Sequence, residues 1–257
     1  MGTNELKRLT TEDGIGFVAL IDSMQENALL KTVNAARISY NKRKEELDEK
    51  DKKLLSFLWD AGHTSPFRHS YVTFHIKAPL FVFRQWMKYQ VGSTWMTLEI
   101  ADQTVPVHVD VVEHMYDTDK GCSWNEISGR YVEFKEPEFY VPNKMRTNSG
   151  HGNKQASSAL PEDFDHEAAR ASMLIECRNA VTAYHDRLKA GIAKEIARIM
   201  LPQNLYSEAY WTVSLQGALH FLHQRLKPDA QYEIRAYAEL VQRLIDPIVS
   251  ELIGLPQ

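Results

Sequence analysis

The sequence predicts an α+β protein that becomes richer in helix toward its C-terminus. Residues 70–77 alternate between apolar and polar types, which is the period of a half-buried strand. Residues 161–189 instead have the spacing and length of a long helix that Pro161 opens. The 257 residues contain no internal repeat, and their number fits one large domain or two small ones.

The first quarter of the chain predicts one strand and two helices. Residues 16–24 form a short apolar run that predicts a strand, and residues 26–37 have helical spacing. The charged run 41–51 predicts a solvated surface helix or loop. Residues 52–61 then continue as an amphipathic helix, which Gly62 is placed to end.

The middle of the chain alternates between helical and extended patterns. Pro79 suits the first turn of a helix that reaches to about Gln90. Residues 94–123 are rich in valine and threonine and predict a strand or hairpin. Residues 136–158 contain several prolines and glycines and predict a loop.

The C-terminal quarter is mostly helical. Residues 192–200 predict a short helix that Pro202 stops. Residues 207–226 begin with an aromatic stretch and end with helical spacing. Pro228 precedes a last helix that is predicted over residues 229–252.

Composition excludes several classes of protein. Hydrophobic residues make up 44% of the chain and charged residues 25%, which excludes an intrinsically disordered chain. The formal net charge of −4 excludes a nucleic-acid coat, which needs a basic excess, so we expect no nucleic-acid partner. Residues 1–10 lack the apolar region of a signal peptide, and the longest apolar run, 78–83, is too short for a bilayer. We therefore expect a cytoplasmic protein without a membrane partner.

The negative charge is concentrated in one segment. Residues 94–123 contain six acidic side chains and one lysine, a net charge of −5. The other residues contain 29 bases and 28 acids, a net charge of +1. The rest of the chain is nearly neutral and has only a few arginines at particular positions. This charge distribution suits the binding of small anions better than a large basic surface would.

Neither cysteine nor histidine predicts a reactive or metal centre. Cys177 lies within a helical pattern, where a buried structural thiol is usual, and Cys122 lies beside a glycine in a turn. No sequence pattern supplies either thiol with a base. Some histidines recur at regular spacing but without carboxylate or cysteine ligands beside them, so we expect hydrogen-bonding or core histidines and no metal. These are His63, His69, His75, His220 and His223.

Four arginines stand in otherwise apolar surroundings: Arg84, Arg130, Arg198 and Arg225. A half-buried guanidinium has to be paired. One interpretation is an ion pair within the fold, for instance between Glu195 and Arg198. The other is convergence on an anionic ligand, because the guanidinium fork matches phosphate and imide oxygens.

Several segments, in order, resemble the flavin-dependent thymidylate synthases. NEISGRY at residues 125–131 is similar to the second half of that family's signature, RHRxxSxNExSxRY. The other similar segments are AARISY at 35–40, HTSPFRH at 63–69, residues 74–86, residues 195–214 and residues 221–238. Six ordered matches over most of the chain are far more specific than any one of them.

The sequence departs from the family pattern at identifiable positions. Lys88, Tyr89 and Gln90 stand where the signature has Arg-His-Arg. Residues 94–123 are inserted between the two halves of the signature, and Arg68 replaces a glutamate. A helix asparagine that contacts flavin in the family is His220 here. Lys88 keeps a charge but not the bidentate fork, and Tyr89 keeps an aromatic face.

The resemblance implies a single helix-rich domain with an antiparallel sheet over residues 1–257, the thymidylate synthase-complementing fold. It implies a homotetramer with its sites at subunit interfaces. The implied reaction is the reductive methylation of dUMP to dTMP, with methylenetetrahydrofolate as carbon donor and NADPH-reduced FAD as hydride donor. Arg225 is implied as the catalytic residue that polarises the uracil imide, where a fixed cation stabilises negative charge on the ring.

The resemblance also implies two sets of binding residues. The dUMP set is Arg84, Gln85, Lys88, Glu126, Ser128, Gly129, Arg130, Arg198 and Arg225. The FAD set is His63, Ser65, Lys88, Tyr89, Gln90, Ser214, Gln216 and His220, with His63 also tied to folate. Ser128 has an equally good alternative as the cap of a helix or turn.

Two other functions remain open from the sequence alone. The changed triplet at Lys88, Tyr89 and Gln90 is compatible with a relative that binds pyrimidine nucleotides but has lost or altered the flavin chemistry. The acidic composition of residues 94–123 is compatible with an interaction module that acts through this segment.

Overall fold

The computed structural model describes residues 7–23, 27–88, 95–100, 103–108, 122–148 and 157–249. The strands are β1 (Arg8–Thr10), β2 (Phe17–Ser23), β3 (Tyr71–Pro79), β4 (Trp95–Ile100), β5 (Gln103–His108), β6 (Cys122–Glu126), β7 (Arg146–Asn148), β8 (Ser157–Ala159) and β9 (Tyr206–Ser214). The α-helices are α1 (Ala28–Arg37), α2 (Glu49–Asp60), α3 (Leu80–Trp86), α4 (His166–Lys189), α5 (Lys194–Ala197), α6 (Leu215–Arg225) and α7 (Tyr232–Val249). Short 3-10 helices follow α1, precede β3 and follow α5.

A five-stranded antiparallel sheet in the order β1-β2-β3-β9-β6 organises the fold. The long neighbours β3 and β9 pair over their whole length, from Tyr71 opposite Ser214 to Pro79 opposite Tyr206. Along β3 every second side chain is buried, because one face of an antiparallel sheet packs on the core. The predicted α+β class, with an antiparallel sheet, is confirmed.

The core lies between this sheet and the helices α1, α3, α6 and α7. Its largest buried side chains are aromatic: the rings of Trp86 and Phe221 stack with centroids 4.7 Å apart, and Trp86 also meets Trp211 edge-on. Such ring pairs add about 0.5–1.5 kcal/mol each beyond the burial of their area. None of the helices in the described ranges combines the length and apolarity needed to span a bilayer.

Three predicted helix boundaries are wrong by a few residues. The long helix begins at His166 rather than at Pro161, because Asp165 caps it by accepting the backbone N–H of Ala168. The helix after Pro79 ends at Trp86 rather than near Gln90, and Pro79 itself is its N-cap. The last helix begins at Tyr232 rather than at residue 229 and is described to Val249.

The charged run 41–51 is not uniformly solvated, which corrects the sequence-based expectation. Asp51 is fully buried, and its carboxylate accepts from Arg37 and from Lys44, each at 2.5 Å. Asp48 and Asp51 also form a capping box at the start of α2. The helix ends at Asp60, just before Gly62, which adopts the left-handed φ of +72° that favours glycine.

Two regions contain hairpins. Within residues 94–123, the predicted hairpin is confirmed: β4 and β5 pair antiparallel with Trp95 opposite His108. Residues 136–158 are not wholly a loop, because Arg146–Asn148 pairs with Ser157–Ala159. This short pairing escapes a sequence search because it is polar and each strand has only three residues.

Candidate active site

A polar cavity of about 480 Å³ opens beside the C-terminus of α6. Gln85 from α3 and Arg225 from the last turn of α6 both line it, and both were expected to bind dUMP. Lys227 and Asp229 contribute further charge from the turn that leads to α7. The cavity therefore has the size and the polar lining for a small anionic ligand with hydrogen-bonding edges.

Helix α6 places Arg225 because its N-terminus is fixed in the sheet. Ser214 ends β9 and caps the helix, since its Oγ accepts the backbone N–H of Gly217 at 3.2 Å. The residues between them bury most of their side chains in the core, so the helix cannot rotate. Arg225, eleven residues into this rigid element, is half-buried at its exposed end.

A second group of expected dUMP residues assembles around Gly129. A Cβ on Gly129 would lie 2.8 Å from the Phe134 ring and 2.9 Å from Cδ of Arg198. These distances are too short for a real Cβ contact, so only glycine allows Arg198 to lie this close to the chain. The Arg198 side chain is half-buried against it.

The contacts around Gly129 show whether Glu195 and Arg198 form the ion pair that the sequence suggested. Glu195 pairs with Arg130 at 3.2 Å rather than with Arg198, so the expected i, i+3 pair is wrong. Ser128 Oγ accepts the backbone N–H of Arg130 at 3.3 Å, so it does act as a turn cap. Glu126, on the edge strand β6, accepts from the buried Ser207 hydroxyl at 2.7 Å.

A third group joins α6 to the segment that contains His63 and Ser65. The buried Gln216 donates through Nε2 to Thr64 Oγ1 and accepts from Arg68 Nε, both at 2.7 Å. Arg68, which departs from the family pattern, is therefore part of this link. His63 and Ser65 are themselves exposed beside it.

The remaining expected site residues are dispersed. Arg84 and Lys88 are exposed at the end of α3, and Tyr89 and Gln90 lie outside the described residues. His220 is half-buried on α6. Burial lowers the pKa of His220, and the nearby His223 and Lys227 lower it further, so its imidazole is neutral at pH 7.

A chain of side-chain hydrogen bonds leaves the polar cavity through Gln85. Gln85 Nε2 donates to Gln231 Oε1 at 2.5 Å, and Gln231 Nε2 donates to Glu233 Oε2 at 2.9 Å. The other oxygen of Glu233 accepts from Arg146 at 2.5 Å and from the Tyr140 hydroxyl at 3.0 Å. Burial alone would raise the pKa of Glu233, but Arg146 and Gln231 hold it below its usual range.

Glu233, Tyr140 and Arg146 also line a larger, mostly apolar cavity of about 680 Å³. On its wall, the Tyr206 hydroxyl donates to the Asp13 carboxylate. Burial raises the pKa of Tyr206 above its ordinary value, and its neighbours Tyr237 and Asp13 raise it further. Residue types alone did not mark this cavity, because its walls come from segments far apart in the chain. The one available signal for Gln231 and Glu233 was their position within the matched segment 221–238.

Cys177 and His75 make structural contacts of the kind that the sequence predicts for them. Cys177 is buried, and its sulfur lies 3.3 Å from the amide nitrogen of Asn204, which fits a structural thiol. His75 bonds to Glu208 at 2.8 Å as a hydrogen-bonding histidine. The side chain of Cys122 lies outside the described residues.

Comparison with known proteins gives concordant results. The family described as thymidylate synthase complementing protein matches residues 19–249. A flavin-dependent thymidylate synthase from Thermosipho africanus is 36% identical over 225 residues, covering 87% of this chain and 82% of that protein. One from Thermus thermophilus is 38% identical over 240 residues, covering 93% of this chain and 73% of that protein.

The fold comparison agrees with the sequence comparison. The crystal structure of the UMP/dUMP methylase PolB from Streptomyces cacaoi, bound with 5-Br dUMP, superposes with a TM-score of 0.70 and 28% identity. The alignment covers 92% of each chain. With the family match extending from β2 to the end of α7, the chain belongs to the thymidylate synthase complementing protein family.

Proposed function

We propose that this protein is a flavin-dependent thymidylate synthase, a methyltransferase that converts dUMP to dTMP. The observation that carries the proposal is the convergence of Gln85 and Arg225 on one polar cavity, in a chain whose relatives carry this activity by name. The formal charge of the cavity walls, from Arg225, Lys227 and Asp229, is +1, which favours an anionic nucleotide.

The chain's own residues supply binding and charge stabilisation. Arg225 lies in a partly desolvated position, where its guanidinium stabilises negative charge that develops on the uracil ring as C5 becomes nucleophilic. Gln85 contacts the base edge. Arg198, Arg130 and the backbone at Gly129 bind the phosphate, because guanidinium groups and backbone N–H groups match its oxygens. Arg84, Lys88, Glu126 and Ser128 complete the proposed dUMP set.

The residues proposed for FAD divide into two kinds. Ser65, His63 and Lys88 are exposed and offer a hydroxyl, an imidazole and an ammonium, a donor set that fits a cofactor with a diphosphate. Ser214 and Gln216 are buried and hydrogen-bonded within the fold, and they belong to the same proposed FAD set. His220, Tyr89 and Gln90 complete the proposed set. When bound, the reduced flavin supplies the hydride that reduces the transferred carbon.

We also propose a homotetramer in which the group around Gly129 and Arg198 faces the Gln85–Arg225 cavity of a neighbouring copy. Within one chain these two groups form separate clusters, which supports a site completed at an interface. NADPH and methylenetetrahydrofolate are the proposed co-substrates. Residues 94–123 are proposed as an insertion into one continuous domain.

The test is a spectrum and an assay of the purified protein. We expect a yellow protein with flavin absorbance that forms dTMP from dUMP when NADPH and methylenetetrahydrofolate are present. An Arg225→Ala variant should keep the flavin spectrum and lose at least about a hundredfold in kcat, the usual cost of removing a charge-stabilising donor. A colourless protein that does not bind added FAD would contradict the proposal.

The alternative is a pyrimidine-nucleotide-binding relative with lost or altered flavin chemistry, for which the changed triplet Lys88, Tyr89 and Gln90 is the motivating observation. Thermal denaturation separates the two. Stabilisation by both dUMP and FAD supports the synthase, whereas stabilisation by dUMP alone supports the alternative.

A further inference from the structure

We infer that Lys194 is a positioning residue for the nucleotide phosphate, because it binds the backbone at Tyr131 and so orients the neighbouring Arg130. The inference rests on the proposed function, in which Arg130 is a phosphate ligand. Its basis is a hydrogen bond that Lys194 Nζ donates to the backbone carbonyl oxygen of Tyr131 at 3.0 Å. Lys194 is the first residue of α5 and is half-buried.

The loop that contains Arg130 is anchored to the fold on both sides of this residue. Before it, the backbone N–H of Ile127 donates to the carbonyl oxygen of Glu208 on β9 at 2.9 Å. After it, the backbone N–H of Phe134 donates to the hydroxyl of Tyr184 on α4 at 3.2 Å. The segment between these two anchors needs contacts of its own to keep one conformation, because each ordered residue loses conformational entropy.

The short helix α5 supplies such contacts. Lys194 binds the Tyr131 carbonyl, and the next residue, Glu195, pairs with the Arg130 side chain at 3.2 Å. Within the loop, the backbone N–H of Tyr131 donates to the carbonyl oxygen of Ser128 at 3.0 Å, which closes a turn around Arg130. The carbonyl that Lys194 binds belongs to the last residue of this turn. Fixing it therefore fixes the direction in which the Arg130 side chain leaves the backbone.

The two contacts from α5 respond differently to a bound phosphate. The Glu195 carboxylate competes with phosphate for the Arg130 guanidinium, because both anions accept from the same N–H groups. The Tyr131 carbonyl is a backbone group and takes no part in that competition. Lys194 can therefore hold the loop both before and after the nucleotide binds. Without Lys194, part of the binding free energy would be spent on ordering Arg130.

Lys194→Met tests the inference, because it removes the ammonium donor and keeps an unbranched side chain. We expect the dissociation constant for dUMP, measured by calorimetry on the whole chain, to rise about tenfold, as for the loss of one hydrogen bond from a charged donor. The kcat at saturating dUMP should change less than twofold, because Arg225 is untouched, and the midpoint of thermal unfolding should stay the same. Lys194→Arg, which keeps a cationic donor, should bind dUMP within about twofold of the unsubstituted protein.

The matched control is Lys189→Met, which removes the same charge at the exposed end of α4, where Lys189 pairs with Asp186. This variant should leave the dUMP constant unaltered. In an Arg130→Met background, Lys194→Met should add less than a twofold effect if it acts through Arg130. The inference is overturned by an unchanged constant in Lys194→Met, by a full tenfold effect in that background, or by an equal effect in the control.

Failure of this inference and failure of the proposed function give different results. An unsubstituted protein that does not bind dUMP would overturn both. A protein that binds dUMP but forms no dTMP would overturn the proposed function alone, because the dissociation constants are measured without turnover.

Discussion

At the scale of single residues, Gly129 is the position where the absence of a side chain is most consequential. Gly129→Ala places a Cβ 2.8 Å from Phe134 and 2.9 Å from Arg198, so the arginine must move. We expect dUMP affinity to fall about tenfold, roughly one lost charge-assisted hydrogen bond, while the protein still folds. Calorimetric titration measures the affinity. Unchanged dUMP binding in this variant would remove Arg198 from the proposed phosphate site.

His220 gives the protein a pH-dependent stability. Burial, followed by His223 and Lys227, lowers its pKa in the folded state, so the unfolded chain binds more protons between the two pKa values. Stability is therefore complete above the unfolded pKa of about 6.5 and declines as pH falls below it.

We expect the free energy of unfolding of the unsubstituted protein to decrease between pH 7 and pH 5.5. In His220→Asn, which restores the residue type of the family, this decrease should be smaller. Urea denaturation at both pH values measures the difference. Equal slopes with pH in the two proteins would show that His220 does not carry the effect.

The residues expected for the site differ in how the structure places them. Gln85 and Arg225 were expected together and do line one cavity. Ser214 and Gln216, which belong to the expected FAD set, hydrogen-bond within the protein. A sequence pattern identifies such positions as chemically constrained, and the structure shows that some of these side chains also hold the fold together.

At the scale of elements, α1 and α2 are joined by a buried charge cluster. Asp51 is inaccessible to solvent and pairs with Arg37 and Lys44. Asp51→Asn leaves two cations without their partner, which we expect to cost about 3 kcal/mol of unfolding free energy. Asp60→Asn, at the exposed end of the same helix, should change it by less than about 0.5 kcal/mol. Chemical denaturation of both variants at neutral pH makes the comparison, and equal small effects would show the cluster to be energetically neutral.

We expect that the hairpin β4–β5 can be deleted without disrupting the five-stranded sheet. Among the described residues its strands pair only with each other, and Trp95 lies opposite His108. Replacing residues 96–107 by two glycines therefore bridges a gap of about 5 Å between Trp95 and His108. We expect the unfolding midpoint and dUMP affinity to be retained and FAD affinity to fall, as measured by flavin fluorescence. Loss of binding to a macromolecular partner with unaltered FAD affinity would instead favour an interaction module.

Element types were predictable and some of their ends were not. The alternation of residues 70–77 and the spacing of residues 161–189 are properties of one segment, which periodicity detects. The start of α4 depends on which of several polar residues caps it, and Asp165 does so rather than the turn at Pro161. Residues 161–165 contain a proline and three acidic residues, each of which can mark the start of a helix. The sequence alone therefore does not fix the first residue of α4.

At the scale of the whole molecule, the proposed interface site predicts complementation. Arg225→Ala and Arg198→Ala each disable a different part of the site, and if each site draws on two copies, mixed tetramers contain some intact sites. We expect the two inactive variants, when refolded together, to recover about a quarter of the activity of the unsubstituted protein, by analogy with closed symmetric assemblies. Each variant refolded alone is the control. No recovery in a mixture shown to exchange subunits would place both arginines in one chain's site.

The assembled cavities could not be predicted from the sequence because they join distant segments. Gln85 and Gln231 lie 146 positions apart, and Tyr206 and Asp13 lie 193 apart. A pattern search sees neighbours along the chain, whereas the sheet order and helix packing decide which segments meet. Only the family resemblance placed Gln85 and Arg225 in one expected set, and the structure shows both lining one cavity.

Three tryptophans, Trp86, Trp124 and Trp211, pack together near the sheet edge and give the protein an intrinsic spectroscopic signal. Trp124 lies one residue before the Asn125–Glu126 pair, stacks on Trp211 at 5.5 Å, and meets Trp86 edge-on at 6.2 Å. Indoles this close couple their electronic transitions, so the ultraviolet circular dichroism of the cluster depends on strand β6 being docked. A change of that signal on addition of nucleotide would follow the seating of the edge strand in real time, without any added label.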